Sequence, residues 1–213
     1  MESVWALALA TTFLATGAVV SPAQFVAPGS ALIAYVEGKV YLDDQRVEPS
    51  NTPLYILNPN SVVRTEEGRA EIRLAGEVSL FLGENAAVKR VPSRPYNFSR
   101  FEVLNGSTVV KTGEMGSVAT CENQVTLSDF GLYRFDVLRL PGLPGEKLCG
   151  FRVYEGAAAV QLATVISVAT SGKFVSLSLA CGDLIPLQKF NVEDTDDLDN
   201  WSRQRIQLRR GAE

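Results

Sequence analysis

Histidine is absent from the 213 residues. With it go the commonest general base, the commonest metal ligand and every histidine-dependent triad. Glu66, Glu67, Glu71 and Glu77 stand close enough along the chain to imitate a catalytic carboxylate pair. They fall in alternating segments, however, and alternation places such acids on a solvated face. No G-x-S-x-G is present, nor an S-x-x-K in a context that would build a nucleophile. Cys121, Cys149 and Cys181 are widely spaced and odd in number. Without a C-x-x-C or a histidine they do not read as metal ligands. Two outcomes stay open: three buried thiols within strands, or one disulfide among the three possible pairs, with a thiol left over. The acids from Glu193 to Asp199 lack the central glycine and closing glutamate of a calcium loop, and read as charge at a helix N-terminus. No catalytic residue, cofactor or metal site is predicted. Trp201 with Arg203 and Arg205 is the one cluster that could form an interaction surface; docking of the tail on a sheet is the simpler expectation.

The chain is long enough for one fair-sized domain or two small ones with a real core. Its 46% hydrophobic and 21% charged residues exclude a disordered polymer. The net charge of −4 is spread along the chain, and no concentrated basic face points to nucleic acid. Val4 to Val20 is an uncharged apolar run followed by Ser21-Pro22-Ala23, the pattern of a secretory leader. Residues 1–23 are therefore predicted to be a signal peptide cleaved after Ala23, with Ala18 as the alternative, or a short retained anchor. Met1-Glu2-Ser3 lacks the usual positive charge. The expected location is outside the cytoplasm, in the periplasm or cell envelope, with membrane contact only through this segment.

Beyond Ala23 the sequence turns to short runs of Val, Leu, Ile, Tyr and Phe punctuated by Gly, Pro, Asn and Asp, which is the pattern of strands and turns. In Ala70–Leu74, the residues Ala70, Ile72 and Leu74 alternate with Glu71 and Arg73, predicting one buried row and one solvated row. A unit recurs at Val36–Tyr41, Val103–Val109 and Val153–Val160: strand, polar-Gly turn, strand. The second and third copies are each followed by Ser-Val-Ala-Thr, at Ser117–Thr120 and Ser167–Thr170. This predicts stacked hairpins with a positive-φ glycine at each bend. One helix is expected over 193–210, acidic at its start and basic at its end, with Leu198, Trp201 and Leu208 as its apolar stripe.

Three ordered segments carry a resemblance. They are Gly38-Lys39-Val40-Tyr41; then Asn60-Ser61-Val62-Val63-Arg64-Thr65-Glu66-Glu67-Gly68-Arg69-Ala70-Glu71-Ile72; then Ser79-Leu80-Phe81-Leu82-Gly83-Glu84-Asn85. Together they resemble the FecR domain, over residues 30–92. Gly131-Leu132-Tyr133-Arg134-Phe135-Asp136 and the tail Asp196-Asp197-Leu198-Asp199-Asn200-Trp201-Ser202-Arg203-Gln204-Arg205 are similar to segments of exported FecR-like proteins, and extend the resemblance across a second β region at 98–190. The resemblance implies an all-β fold of layered hairpins, either solenoid-like or a twisted β-sandwich. Within it Gly68 is expected at a turn between two strands. FecR regulators of known role are envelope sensors that relay a signal to a cytoplasmic sigma factor. Only Met1 to Ser3 precede the apolar run, so no relaying segment is expected and the regulator role is not carried over. The expected role is non-enzymatic: a binding or scaffold module for an unknown envelope protein or polymer. The alternative is a sensor acting through a separate membrane partner.

Overall fold

The computed structural model describes residues 31–48, 55–74, 77–92, 99–113, 117–121, 123–128, 130–141, 146–162, 165–178 and 187–211. The expected leader lies outside the described residues. No described helix is long and apolar enough to cross a membrane. The strands are β1 (Ala31–Leu42), β2 (Gln45–Arg46), β3 (Tyr55–Leu57), β4 (Val62–Arg73), β5 (Ser79–Leu82), β6 (Ala87–Val91), β7 (Ser99–Lys111) and β8 (Ser117–Cys121). They continue as β9 (Asn123–Leu127), β10 (Leu132–Arg139), β11 (Lys147–Glu155), β12 (Ala157–Leu162), β13 (Val165–Thr170), β14 (Lys173–Ser176) and β15 (Leu187–Lys189). A single described helix, α1 (Asp197–Arg210), follows. The protein is all-β and layered, with its helix at the C-terminal end, as the sequence implied.

The pairings resolve into two layers that share their longest strands. One layer runs β3-β1-β4-β5-β7-β10-β11-β14-β15 and uses the first half of β1 with the second halves of β4 and β7. The other runs β2-β1-β4-β6-β7-β8-β9-β12-β13 and uses the remaining halves. All pairs are antiparallel except β7 with β8. We call these the helix layer and the open layer, because α1 lies on the outer face of the first.

Each shared strand bends where it passes between layers. Gly38 lies opposite Gly68 in the β1–β4 register, and a register shift follows immediately at Gly38/Val40. A Cβ on Gly38 would stand 2.2 Å from the Glu67 carbonyl oxygen, and one on Gly68 would stand 2.4 Å from that of Glu37. The backbones cross too closely there for any side chain. The inward-facing parity also flips along the shared strands: Ala31 and Ile33 point inward before the register shift at Ile33/Tyr35, and Val36 and Val40 after it, while Phe101 and Val103 point inward before Gly106 and Val110 after it. An extra residue at a bulge produces this flip and allows one strand to line both walls of a core. The three repeated units are therefore not hairpins. Gly38 and Gly106 are corners within continuous strands, and Gly156 is the corner joining β11 to β12. Gly68 likewise sits inside β4 rather than at a turn between strands. The expectation of positive φ does hold, at +67°, +73° and +84° for Gly38, Gly106 and Gly156.

One buried cluster extends between the layers from Ala31 to Leu177, with Phe101, Phe135, Phe151 and Tyr133 near its centre. Phe135 stacks at a tilt on Phe151, with ring centroids 4.8 Å apart, and meets Phe101 edge-on. Residues from both expected β regions, 30–92 and 98–190, contribute to it.

Candidate functional site

A second, smaller apolar cluster lies outside the sandwich, under α1. Phe81, Val109, Leu132 and Tyr154 line the outer face of the helix layer, and Leu198 and Trp201 descend onto them. Trp201 meets Phe81 edge-on at 5.9 Å, and its indole Nε1 donates to Glu37 Oε1 at 3.1 Å. Local chemistry fixes where the helix begins. Asp196 Oδ1 accepts from the backbone N–H groups of Leu198 and Asp199, and Asp199 Oδ2 accepts from the N–H of Asp196. This reciprocal arrangement satisfies helix donors that would otherwise be unpaired. The helix thus starts at Asp197, four residues later than expected, with Asp196 as its cap.

Both capping carboxylates also reach the sheet. Arg134, on β10, is buried, and its Nη1 lies 2.8 Å from Asp199 Oδ2 and 2.8 Å from Asp196 Oδ2. Its Nε donates to Asp136 at 2.8 Å, and Asp136 in turn accepts from Arg152 and from Ser107. Tyr154 donates its hydroxyl to Asp199 at 3.1 Å. Although burial opposes its charge, the adjacent Asp136 and Asp199 carboxylates hold the Arg134 guanidinium firmly protonated. Burial, reinforced by the Asp199 charge, pushes the Tyr154 phenol up to about 12. Burial also works against ionisation of Asp196, yet the Asp199 N–H and Arg134 hold it below its ordinary value. An open cleft of 510 Å³ borders this network, lined by Arg134, Arg152, Tyr154, Phe190 and the acids at the helix start.

A second polar seat lies further along the helix. Glu71 is completely buried and accepts from Arg205 at 2.8–2.9 Å and from Arg73 at 3.0 Å. Arg205 also stacks 3.8 Å from the centre of the Tyr35 ring, and Arg209 donates to Ser79 at 2.7 Å. The solvated row expected for Glu71 is therefore wrong: alternation does turn Glu71 away from the core, but α1 covers that face. Leu208 is likewise not part of the buried stripe and is 59% exposed, the inward positions beside it being taken by Arg205 and Arg209. The acids do not gather into a pair: Glu67 joins Lys39 on the surface, Glu66 joins Arg64 and Tyr41, and Glu77 is exposed.

Apart from Ala70, the motif residues divide into two structural groups. Gly38, Gly68, Thr65, Gly83, Asn85, Gly131 and Tyr133 build the corners. Thr65 donates to the Gly83 carbonyl at 2.5 Å and accepts from Ala86 N–H at 2.9 Å, while Asn85, at φ +52°, donates from its N–H to Glu66. Gly131 donates to Thr112 Oγ1, and a Cβ there would strike the Tyr133 ring. The Tyr133 hydroxyl donates to the Ala157 carbonyl at 2.8 Å. Arg69, Arg134, Trp201 and Arg203 belong to the helix seat. Arg69 lies over Trp201 and Arg203 over Tyr154, 5.9 Å and 5.7 Å from the respective ring centres. Ala70 is in the core, and Gly83 leaves space for Leu198, whose Cδ2 would come within 3.1 Å of an added Cβ. Glu71, Asp136, Tyr154 and Asp199 were not read from the sequence as site residues. Their signal was the spacing Asp196-x-x-Asp199 opposite an arginine in a strand, which becomes visible only once the helix and sheet meet.

Cys149 is buried on β11 and disulfide-bonded; the side chains of Cys121 and Cys181 lie outside the described residues. No group of His, Cys, Asp or Glu among the described residues is arranged to hold a metal ion.

No protein-family model matches the chain, and no curated protein matches it. Its fold is similar to that of two crystal structures of a "putative anti-sigma factor" from Parabacteroides distasonis. Both superpose with a TM-score of 0.50, at 9% and 8% sequence identity, over 62% of this chain. The match spans 61% of each of those chains, and at such identity the likeness is one of fold.

Proposed function

We propose that the chain is a FecR-like module exported to the cell envelope, which acts by binding rather than by catalysis and serves signal transduction through a separate membrane partner. The observation that carries this reading is the fold likeness to a candidate anti-sigma factor, joined to the FecR-like motifs. Those motifs fall at the sheet corners and under the helix, the positions on which this architecture depends. The Cys149 disulfide supports an oxidising compartment. The non-enzymatic reading draws on the chemistry of the cleft: its Arg134, Tyr154, Asp196 and Asp199 are engaged in seating α1, and its Arg152 pairs with Asp136. Its charge is spent on assembly.

Two measurements test the proposal. Fractionation of the native host, with protease added to intact spheroplasts, should find the chain outside the cytoplasm; retention in the cytosol would overturn the envelope reading. Deletion of the gene should change transcription from a sigma-factor-dependent promoter, and a variant with the Trp201 seat removed should fail to restore it. An unchanged transcript profile under envelope stress would remove the signalling reading and leave only the binding one.

A further inference from the structure

Among the described residues the two layers end in four rim strands, β3 and β15 on one and β2 and β13 on the other. Three of these rims are blunt. β2 has two residues and includes Arg46, β3 has three, and β15 has three and ends in Lys189. Short or charged edges are how soluble sheets avoid pairing with other chains. β13 has neither protection. Its six residues, VISVAT, include no charge, proline or glycine, and among the described strands it pairs only with β12. Ile166 and Val168 are 65% and 61% exposed. The strands behind it in the open layer, β12, β9 and β8, also contain no charged residue, in a chain that is 21% charged.

We propose that β13 is a self-association edge, where two copies of this chain pair antiparallel about a two-fold axis and continue the open layer from one protomer into the other. Charge selects a second copy as the occupant. A partner edge that bears charge would lose water against this strip with no counter-ion to meet it, whereas a second copy of the same uncharged strip brings no charge to bury. With Ser167 on the axis, Ile166 of one copy lies opposite Val168 of the other, a β-branched cross-strand pair. The blunt rims elsewhere make the assembly close at two copies rather than extend into a filament. This inference is independent of the proposed function.

The test is the mass of the full chain in solution, by light scattering, for the wild type and for the double variant Ile166→Lys, Val168→Lys. The wild type should have twice the 23.1 kDa chain mass and the variant once that mass, with the same circular dichroism. Hydrogen exchange gives a second readout: amides of 165–170 in the wild type should become protected as concentration rises. If the variant does not fold, this concentration dependence decides alone. A wild type that stays monomeric would overturn the proposal, even if it binds an extended segment of another protein. So would a dimer that survives the double substitution, or exchange at 165–170 that is independent of concentration.

Discussion

Thr65 and Thr108 both bury a hydroxyl in the sandwich, but only Thr65 has partners for it. Thr65 Oγ1 joins a corner loop through Gly83 and Ala86, while Thr108 Oγ1 has no hydrogen-bond partner among the described residues. A buried hydroxyl without a partner costs about 1–3 kcal/mol, so the isosteric Thr108→Val should stabilise the protein by about 1 kcal/mol. Thr65→Val should destabilise it by a similar amount, because two backbone groups lose their partner. Opposite shifts in the urea midpoint are the expected result. Gly68→Ala should cost more, about 3 kcal/mol, since its Cβ would meet the backbone of β1 rather than a movable side chain. The corner glycines were legible as residues with a special conformation but not as corners. A break in alternation beside a polar-glycine pair looks the same in sequence whether the strand reverses or bends into the opposite layer. Only the pairing partners distinguish the two, and these are distant in sequence.

At the scale of the element, α1 is held by ion pairs as much as by apolar contact. Arg205→Ala would leave Glu71 fully buried with Arg73 alone, at a cost of about 3 kcal/mol. Leu208→Ala, at an exposed position, should change stability by no more than about 0.5 kcal/mol. Apolar periodicity ranks these two positions the other way, which is why the sequence revealed the helix and its acidic start but mistook part of its buried face. A stripe of hydrophobic residues cannot anticipate a buried carboxylate beneath an arginine. The same seat sets a pH window. The folded state lowers the Asp196 pKa, so that contribution is complete above the ordinary 3.8 and is lost as pH falls through the lower folded value. The Tyr154 pKa is raised, so its contribution is complete below 10.0 and is lost as pH rises toward about 12. The near-ultraviolet dichroism of Trp201 should therefore stay flat between about pH 5 and pH 9 and decay on both sides. A midpoint near neutrality would contradict this assignment.

For the whole molecule, the shared strands make one body of two layers. β1, β4 and β7 each contribute to both walls, so neither wall can separate without breaking them, and thermal unfolding should be a single transition. Three cysteines with one bridge inside the chain leave one thiol, so denatured, unreduced protein should return one equivalent in a thiol assay. Three equivalents would contradict the disulfide, and its reduction should lower stability by about 2–4 kcal/mol. The layered all-β class was readable from strand length and punctuation, because those signals are local. The division of strands between two layers was not, because it depends on partners far apart in the chain. The position of α1 also has a consequence for how the protein is made. Every described strand precedes it, so on a ribosome or in a translocation channel the patch formed by Phe81, Val109 and Leu132 emerges well before Trp201 arrives to close it. For that interval the nascent chain presents an oily face to whatever chaperone waits at the exit.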